Sequence, residues 1–295
     1  IFGFNLEENI INIQNQLVND IYTPSRYKEF IIKEPKQRLI LSLPFTDRVL
    51  QQAICLIINP IFESTFIYDT YACRKGKGVL TGINRLWYFL NRMIINNQDV
   101  YCLKMDIKKY FYSIDHNILK QMLRRKIRCK RTLNLLNIII DSVDDPGIPV
   151  GNLTSQLFAN IYLGKLDHFI KEELKEKYYL RYMDDMIILS NNKKCLWNKC
   201  GRIKEFINND LKLEFNKKTQ VFNTKRGIDF LGYRQFNNIR ILRKRTIIKN
   251  FKKFRKQSKT ASTKKIAKSL ASFKGLCKHC SSAIVLNKVL KIVEV

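Results

Sequence analysis

Acidic residues are scarce. The 295 residues carry 25 Asp and Glu against 54 Lys and Arg, a formal net charge of +29, which directs the chain toward polyanionic partners. No run approaches the roughly 18 consecutive uncharged apolar residues of a membrane-spanning helix, which excludes that class. The start, Ile1-Phe2-Gly3-Phe4-Asn5, lacks the basic-then-apolar order of a signal peptide, so a soluble, intracellular protein is expected. There are three histidines, His116, His168 and His279, and they show neither triad nor metal spacing. Internal repeats and low-complexity linkers are also missing, which predicts one continuous body. What is present excludes a disordered polycation: 45% of the residues are apolar and 11% aromatic. Eight cysteines scattered through apolar or basic stretches read as reduced thiols. Cys277-Lys-His279-Cys280 with Cys195 and Cys200 offers zinc-type ligands, but one CxxC without a tightly spaced partner pair falls short of a zinc site.

The positive charge is concentrated toward one end. From Lys225 to Val295 there are 20 Lys and Arg and two acids, Asp229 and Glu294, giving +18 in 71 residues. The bases alternate with Ile247, Ile248, Phe251, Phe254, Ile266, Leu270 and Phe273, a pattern of amphipathic helices with one basic face. Lys252, Lys253, Arg255 and Lys256 form its densest stretch and are candidates for contact with phosphates.

Periodicity predicts a helix from Leu6 to Val18 behind a capping-box-like Asn5-Leu-Glu-Glu8, strands at 27–32 and 38–43, and helices at 47–62 and 81–95. A short apolar strand, 100–105, ends on Asp106, and Asp115 is placed to cap a helix. A helix is expected over 153–173. Apolar runs at 178–182 and 186–189 flank Met183-Asp184-Asp185 and read as a hairpin with two carboxylates at its tip. A helix at 196–208, a hairpin at 227–236 and the basic helices complete the pattern. Adjacent acids in an apolar hairpin repel each other and lose hydration. If the strand ending at Asp106 lies beside that hairpin, three carboxylates converge. Two Mg²⁺ ions relieve such repulsion and, about 3.5–4 Å apart, serve phosphoryl transfer.

These residues carry a resemblance. Tyr182-Met183-Asp184-Asp185 resembles the YxDD box of reverse transcriptases, and Asp106-Ile-Lys-Lys-Tyr-Phe111 resembles their first catalytic motif. Pro35-Lys-Gln-Arg38, Pro44 to Arg48, Tyr71 to Gly78, Leu213 to Thr219 and Ile228 to Tyr233 resemble further blocks in the family's order. The resemblance implies an α+β right-hand polymerase fold with fingers at 1–95, palm at 96–235 and a basic helical thumb at 236–295. It implies Asp106, Asp184 and Asp185 as catalytic acids that hold two Mg²⁺ ions together with the Ile107 main chain, Mn²⁺ being a possible substitute. Phe111 falls at the steric-gate position. Lys36, Arg38, Arg74, Val150, Gly151, Gln156 and Lys218 fall at nucleotide-contacting positions, and Gly232 and Tyr233 at the primer grip.

Group II intron and retron enzymes usually carry Gln-Gly at the start of the fourth block. The text here is Val150-Gly151-Asn152-Leu153-Thr154-Ser155-Gln156, which resembles the enzymes of diversity-generating retroelements, as do Arg74 to Gly78 and Lys274 to His279. The implied function is error-prone, RNA-directed DNA synthesis in mutagenic retrohoming. The implied partners are an RNA template, a DNA or RNA primer, dNTPs and an accessory variability protein, with no membrane, in the cytoplasm of a prokaryotic or phage-encoded system. The alternatives are a retron-like, defence-associated or group II intron-like reverse transcriptase, or a non-catalytic RNA-binding or splicing-assistance protein on the same fold.

Overall fold

A computed structural model describes residues 2–33, 37–94 and 99–293. Helix α1 (Leu6–Val18) leads into a hairpin of β1 (Lys28–Ile32) and β2 (Arg38–Ser42), and then come α2 (Phe45–Glu63) and α3 (Val79–Ile94). The capping box before α1 is half formed: the Asn5 side chain donates to Glu8 at 3.4 Å and makes no bond to the helix backbone. Strand β3 (Tyr101–Met105) is followed by a 3-10 turn, then α4 (His116–Arg124), α5 (Lys130–Ile140) and α6 (Leu153–His168). The Asp115 side chain accepts from the Ile118 N–H at 3.0 Å and caps α4 as expected. The helix expected over 153–173 stays α-helical only to His168 and widens into a π turn over Phe169–Glu173. Strands β4 (Tyr179–Tyr182) and β5 (Asp185–Ser190) form the acid-tipped hairpin and lead to α7 (Lys193–Leu211) and β6 (Gln220–Asn223). A small sheet of β7 (Ile228–Phe230), β8 (Tyr233–Gln235) and β9 (Arg240–Leu242) precedes α8 (Lys244–Thr260), α9 (Thr263–Cys277) and α10 (Ala283–Val293).

The main sheet has the order β4-β5-β3-β6, antiparallel throughout. Strand residues alternate faces, and the alternation sorts the core into two bodies. Leu103, Met105, Met186, Ile188 and Tyr179 face a cluster shared with α2, α4, α5, α6 and α7. Cys102, Leu180, Ile187 and Leu189 face the other, shared with α3, the β7–β9 sheet and the three C-terminal helices. Each fully buried Leu or Ile contributes roughly 1.5–3 kcal/mol. Helix α6 is buried along most of its length, including Thr154, Ser155, Asn160 and Asp167, and is the central rod of the first cluster. In α8, Phe254 is buried and meets Phe273 of α9 edge-to-face at 5.7 Å, while Lys252, Lys253, Arg255 and Lys256 point to solvent.

The β1–β2 hairpin is fastened to the body at one close main-chain contact. The Leu41 N–H donates to the Val150 carbonyl at 2.9 Å, and Gly151 follows with φ +138°. A Cβ at Gly151 would lie 2.4 Å from the Leu41 carbonyl oxygen, so both its conformation and its surroundings demand glycine. Gly151→Ala is therefore expected to cost at least about 1–3 kcal/mol from backbone strain alone. Gly164→Ala, in mid-helix with open space around it, is expected to be neutral or to gain up to about 1 kcal/mol. Urea unfolding of the two variants beside the parent checks both signs.

Candidate active site

The register brings the acids together. Met105 pairs with Met186 across β3 and β5, so one step further Asp106 stands opposite Asp185. Tyr182 pairs with Asp185, which leaves Met183 and Asp184 as a two-residue turn with Met183 at φ +55°. Asp106 is held at its strand end: its carbonyl accepts from Asn216 N–H at 2.7 Å, and Ile107 bridges to Phe215. Two carboxylates facing each other repel, and burial together with Asp106 pushes the Asp185 carboxyl up from its ordinary value. Lys104 counteracts this shift. Being two residues before Asp106, it lies on the same face, and its Nζ is 3.2 Å from Asp185 Oδ1. The ammonium also donates to the Asp229 carbonyl in β7, joining the two sheets.

Beneath the turn lies a fully buried ion pair. Arg181 Nη2 is 2.6 Å from Asp167 Oδ2, with both side chains at 0% exposure. Arg181 also donates to Asn160 at 3.2 Å and to the Met183 carbonyl at 3.1 Å. Asp167 accepts further from the Tyr179 hydroxyl at 2.7 Å and the Thr70 hydroxyl at 3.2 Å. The acid-bearing turn is thus attached through its own main chain to a salt bridge anchored in α6.

A cavity of about 620 Å³ opens beside Asp106 and Asp185, between β6 and the β7–β9 sheet. Seven bases line it against three acids: Lys104, Lys217, Lys218, Arg226, Arg234, Arg243 and Arg245 face Asp106, Asp185 and Asp229. Among the described residues no three Cys, His, Asp or Glu side chains are gathered into a ready-made metal cage. The pair of opposed carboxylates nonetheless suits Mg²⁺. They are hard oxygen donors, the buried Asp185 Oδ1 takes no directed hydrogen bond beyond its ion-pair contact with Lys104, and Mg²⁺ commonly takes one or two carboxylates and completes its shell with water and substrate phosphates.

The remaining expected residues are dispersed. Lys218 reaches the cavity from an exposed turn. Phe111 is half-buried in the 3-10 turn, edge-to-face with Tyr110 at 5.7 Å. Arg38 is exposed at the start of β2, Gln156 is exposed in the first turn of α6, and Lys36 lies outside the described residues. Arg74 departs from expectation. Instead of reaching into the cavity, its guanidinium grips Glu63 at 2.7 Å and donates to the Ile67 and Thr70 carbonyls, with its side chain 7% exposed. Tyr233 departs as well: it is buried in β8, and its hydroxyl donates to the Leu276 carbonyl of α9 at 3.1 Å. Gly232 takes φ +92°, and its carbonyl accepts from the Arg243 N–H at 3.0 Å. Sequence reasoning missed Lys104, Asp167 and Arg181. The signal for Arg181 was a single base inside an apolar strand directly before the acid pair.

Residues 31–235 match the family described as Reverse transcriptase (RNA-dependent DNA polymerase). The chain is 24% identical to Protein YkfC of Escherichia coli over 269 residues, covering 75% of this chain and 70% of that one. It is 25% identical to the Group II intron-encoded protein LtrA of Lactococcus lactis over 329 residues, covering 83% and 52%. Apo telomerase from Candida tropicalis superposes with a TM-score of 0.59 at 14% identity, covering 88% of this chain and 56% of that one. The likeness to telomerase shows the right-hand polymerase fold. The chain spans about half the length of LtrA and under a third of a yeast intron protein it also matches.

Breaking the pair beneath the turn is expected to be severe. Asp167→Leu or Arg181→Met alone should cost about 3–5 kcal/mol, because each leaves a buried charge uncompensated. The double variant should be milder than either single one. Urea unfolding of all three tests this, and additive losses would show that the two side chains act independently.

Proposed function

The chain belongs to the reverse transcriptase family, and on that premise we propose that it is an RNA-directed DNA polymerase, copying an RNA template from a DNA or RNA primer with dNTPs. The observation that carries this reading is the opposition of Asp106 and Asp185 at adjacent strand ends, beside a cavity rimmed by bases. Asp106, Asp184, Asp185 and the Ile107 carbonyl would hold Mg²⁺, with Mn²⁺ as a substitute. The bound ions would supply Lewis-acid activation of the primer 3′-hydroxyl and stabilise the leaving pyrophosphate. Lys218 is positioned at the cavity to neutralise or protonate that leaving group, and Arg243 and Arg245 to neutralise a strand backbone. Phe111 serves as the gate against ribonucleotides. We divide the chain into fingers to residue 95, palm to 235 and thumb beyond, with the basic face of α8 on the template–primer duplex.

The finer reading is error-prone copying in a diversity-generating retroelement, assisted by an accessory variability protein. It is supported by Val150 in the place where Gln is usual in intron enzymes. Glutamine offers a side-chain amide to the incoming nucleotide, and valine offers none. A group II intron-type role is the second reading, favoured by the similarity to LtrA.

Asp184→Asn should abolish dNTP incorporation while leaving RNA binding nearly unchanged, because it removes a proposed metal ligand rather than a phosphate contact. Primer extension alongside filter binding measures both, and parallel loss of the two would assign Asp184 to folding instead. Val150→Gln restores a neutral hydrogen bond worth about 0.5–1.5 kcal/mol, up to roughly tenfold in rate. Sequencing cDNA copied from an adenine-rich RNA should show fewer errors from this variant than from the parent. An unchanged error spectrum would free Val150 from any part in fidelity.

A further inference from the structure

A second surface with nucleic-acid chemistry lies outside the catalytic cavity. On α3, Arg85, Tyr88 and Arg92 recur at spacings of three and four and so share one face. Tyr68, in the loop before α3, extends the row. The Lys77 ammonium sits 3.4 Å from the centroid of the Tyr68 ring. The Arg85 guanidinium carbon is 5.1 Å from Tyr68 and 5.2 Å from Tyr88, and that of Arg92 is 5.3 Å from Tyr88. Cation and ring therefore alternate in the order Lys77, Tyr68, Arg85, Tyr88, Arg92.

Both rings face solvent, Tyr68 at 66% and Tyr88 at 46% exposure, although large aromatics gain by being covered. The nearby acids are already paired. Asp69 is buried and engaged by Arg85 at 2.8 Å, Lys171 at 3.2 Å and the Tyr71 hydroxyl, and Glu63 is bound by Arg74. The surface thus presents two solvent-exposed rings, each flanked by the chain's own cations, of which Arg85 is paired with Asp69.

Its position separates it from the catalytic cavity. Thr70 bridges to Arg181 of β4, one edge of the main sheet, whereas the cavity borders β6, the opposite edge. Exposed aromatic rings flanked by Lys and Arg match single-stranded nucleic acid, in which unpaired bases stack on rings while cations follow the phosphates. A duplex keeps its bases stacked internally and offers these rings nothing. We propose that the Lys77–Tyr68–Arg85–Tyr88–Arg92 row is a docking track for unpaired template RNA outside the catalytic cavity. This rests on the reading of the chain as an RNA-copying enzyme.

The test measures affinity for primer–templates whose unpaired 5′ RNA overhang grows from about 4 to about 16 nucleotides, the span of common single-strand site sizes. In the parent, affinity should rise with overhang length. Tyr68→Ala with Tyr88→Ala should lose about tenfold or more of that gain, and Tyr68→Phe with Tyr88→Phe should keep it, since stacking needs the ring and not the hydroxyl. Extension of the shortest-overhang primer–template should be equal in all three proteins. Annealing a complementary strand to the overhang should remove the parent's gain. The proposal is overturned if the alanine pair keeps the gain, if the phenylalanine pair loses it, or if the gain survives annealing. Should the parent extend no primer at all, the polymerase reading fails while the overhang-dependent affinity still decides the track.

Discussion

The position of the acid-bearing turn depends on a charge pair that water never reaches. A guanidinium and a carboxylate at 0% exposure each lose hydration, and their mutual attraction returns it only when every remaining donor and acceptor is also used. That condition is met here by pieces from four parts of the chain: Thr70 from the loop before α3, Asn160 and Asp167 from α6, Tyr179 from β4 and the Met183 carbonyl from the turn itself. Each partner has one place in which the network closes. The pair therefore works as a locator, turning the rigid burial of α6 into a fixed height for Asp184 and Asp185 above the sheet. It also sets the sheet edge, because Arg181 exchanges main-chain bonds with Asp69 and Tyr71, which covers β4 and anchors the approach to α3.

Electrostatics at the turn then follow from strand parity. Lys104, Asp106 and Asp185 share a face because residues two apart on one strand do, and because the register opposes 106 and 185. A strand shifted by one residue would send Lys104 into the apolar cluster of α6 and leave the two carboxylates uncompensated. The ammonium also donates to the Asp229 carbonyl of β7, so the sheet that bears the acids and the sheet that leads into α8 are joined by a side chain. The basic C-terminal helices are thereby referenced to the acids through a side chain as well as through the chain connection.

Much of this was legible from local patterns. Asp106 at a strand end, the acid-tipped hairpin, the Asp115 cap and the span of α2 each rest on residues a few positions apart, which the sequence displays directly. The misses have a common cause. Helix α5 went unread because its apolar run, Leu133 to Ile140, carries no cap signal: Cys129 precedes it and makes no side-chain cap bond. Strand β9 is three residues long and is defined only by its partner β8. The ion pair of Arg74 is not visible locally because its acceptor, Glu63, lies eleven residues earlier on a different element. The burial of Tyr233 is not visible locally because α9, whose Leu276 carbonyl its hydroxyl reaches, begins thirty residues later. The charge of Arg181 is visible within β4, but its partners are not, since Asp167 and Asn160 lie on α6, fourteen and twenty-one residues earlier.

The contact between Leu41 and Val150 explains how the fourth block tolerates a change of chemistry without a change of shape. The β1–β2 hairpin recognises this block through the Val150 carbonyl and through the missing side chain of Gly151, neither of which depends on the identity of the residue at 150. A substitution at 150 therefore alters what is offered from the side chain and leaves the docking intact. Glycine at 151 has no such freedom, since its φ of +138° and the Leu41 oxygen both exclude a Cβ. The two neighbours thus divide the work: 151 fixes the approach of the hairpin to the body, and 150 can change its side chain while the scaffold stays constant.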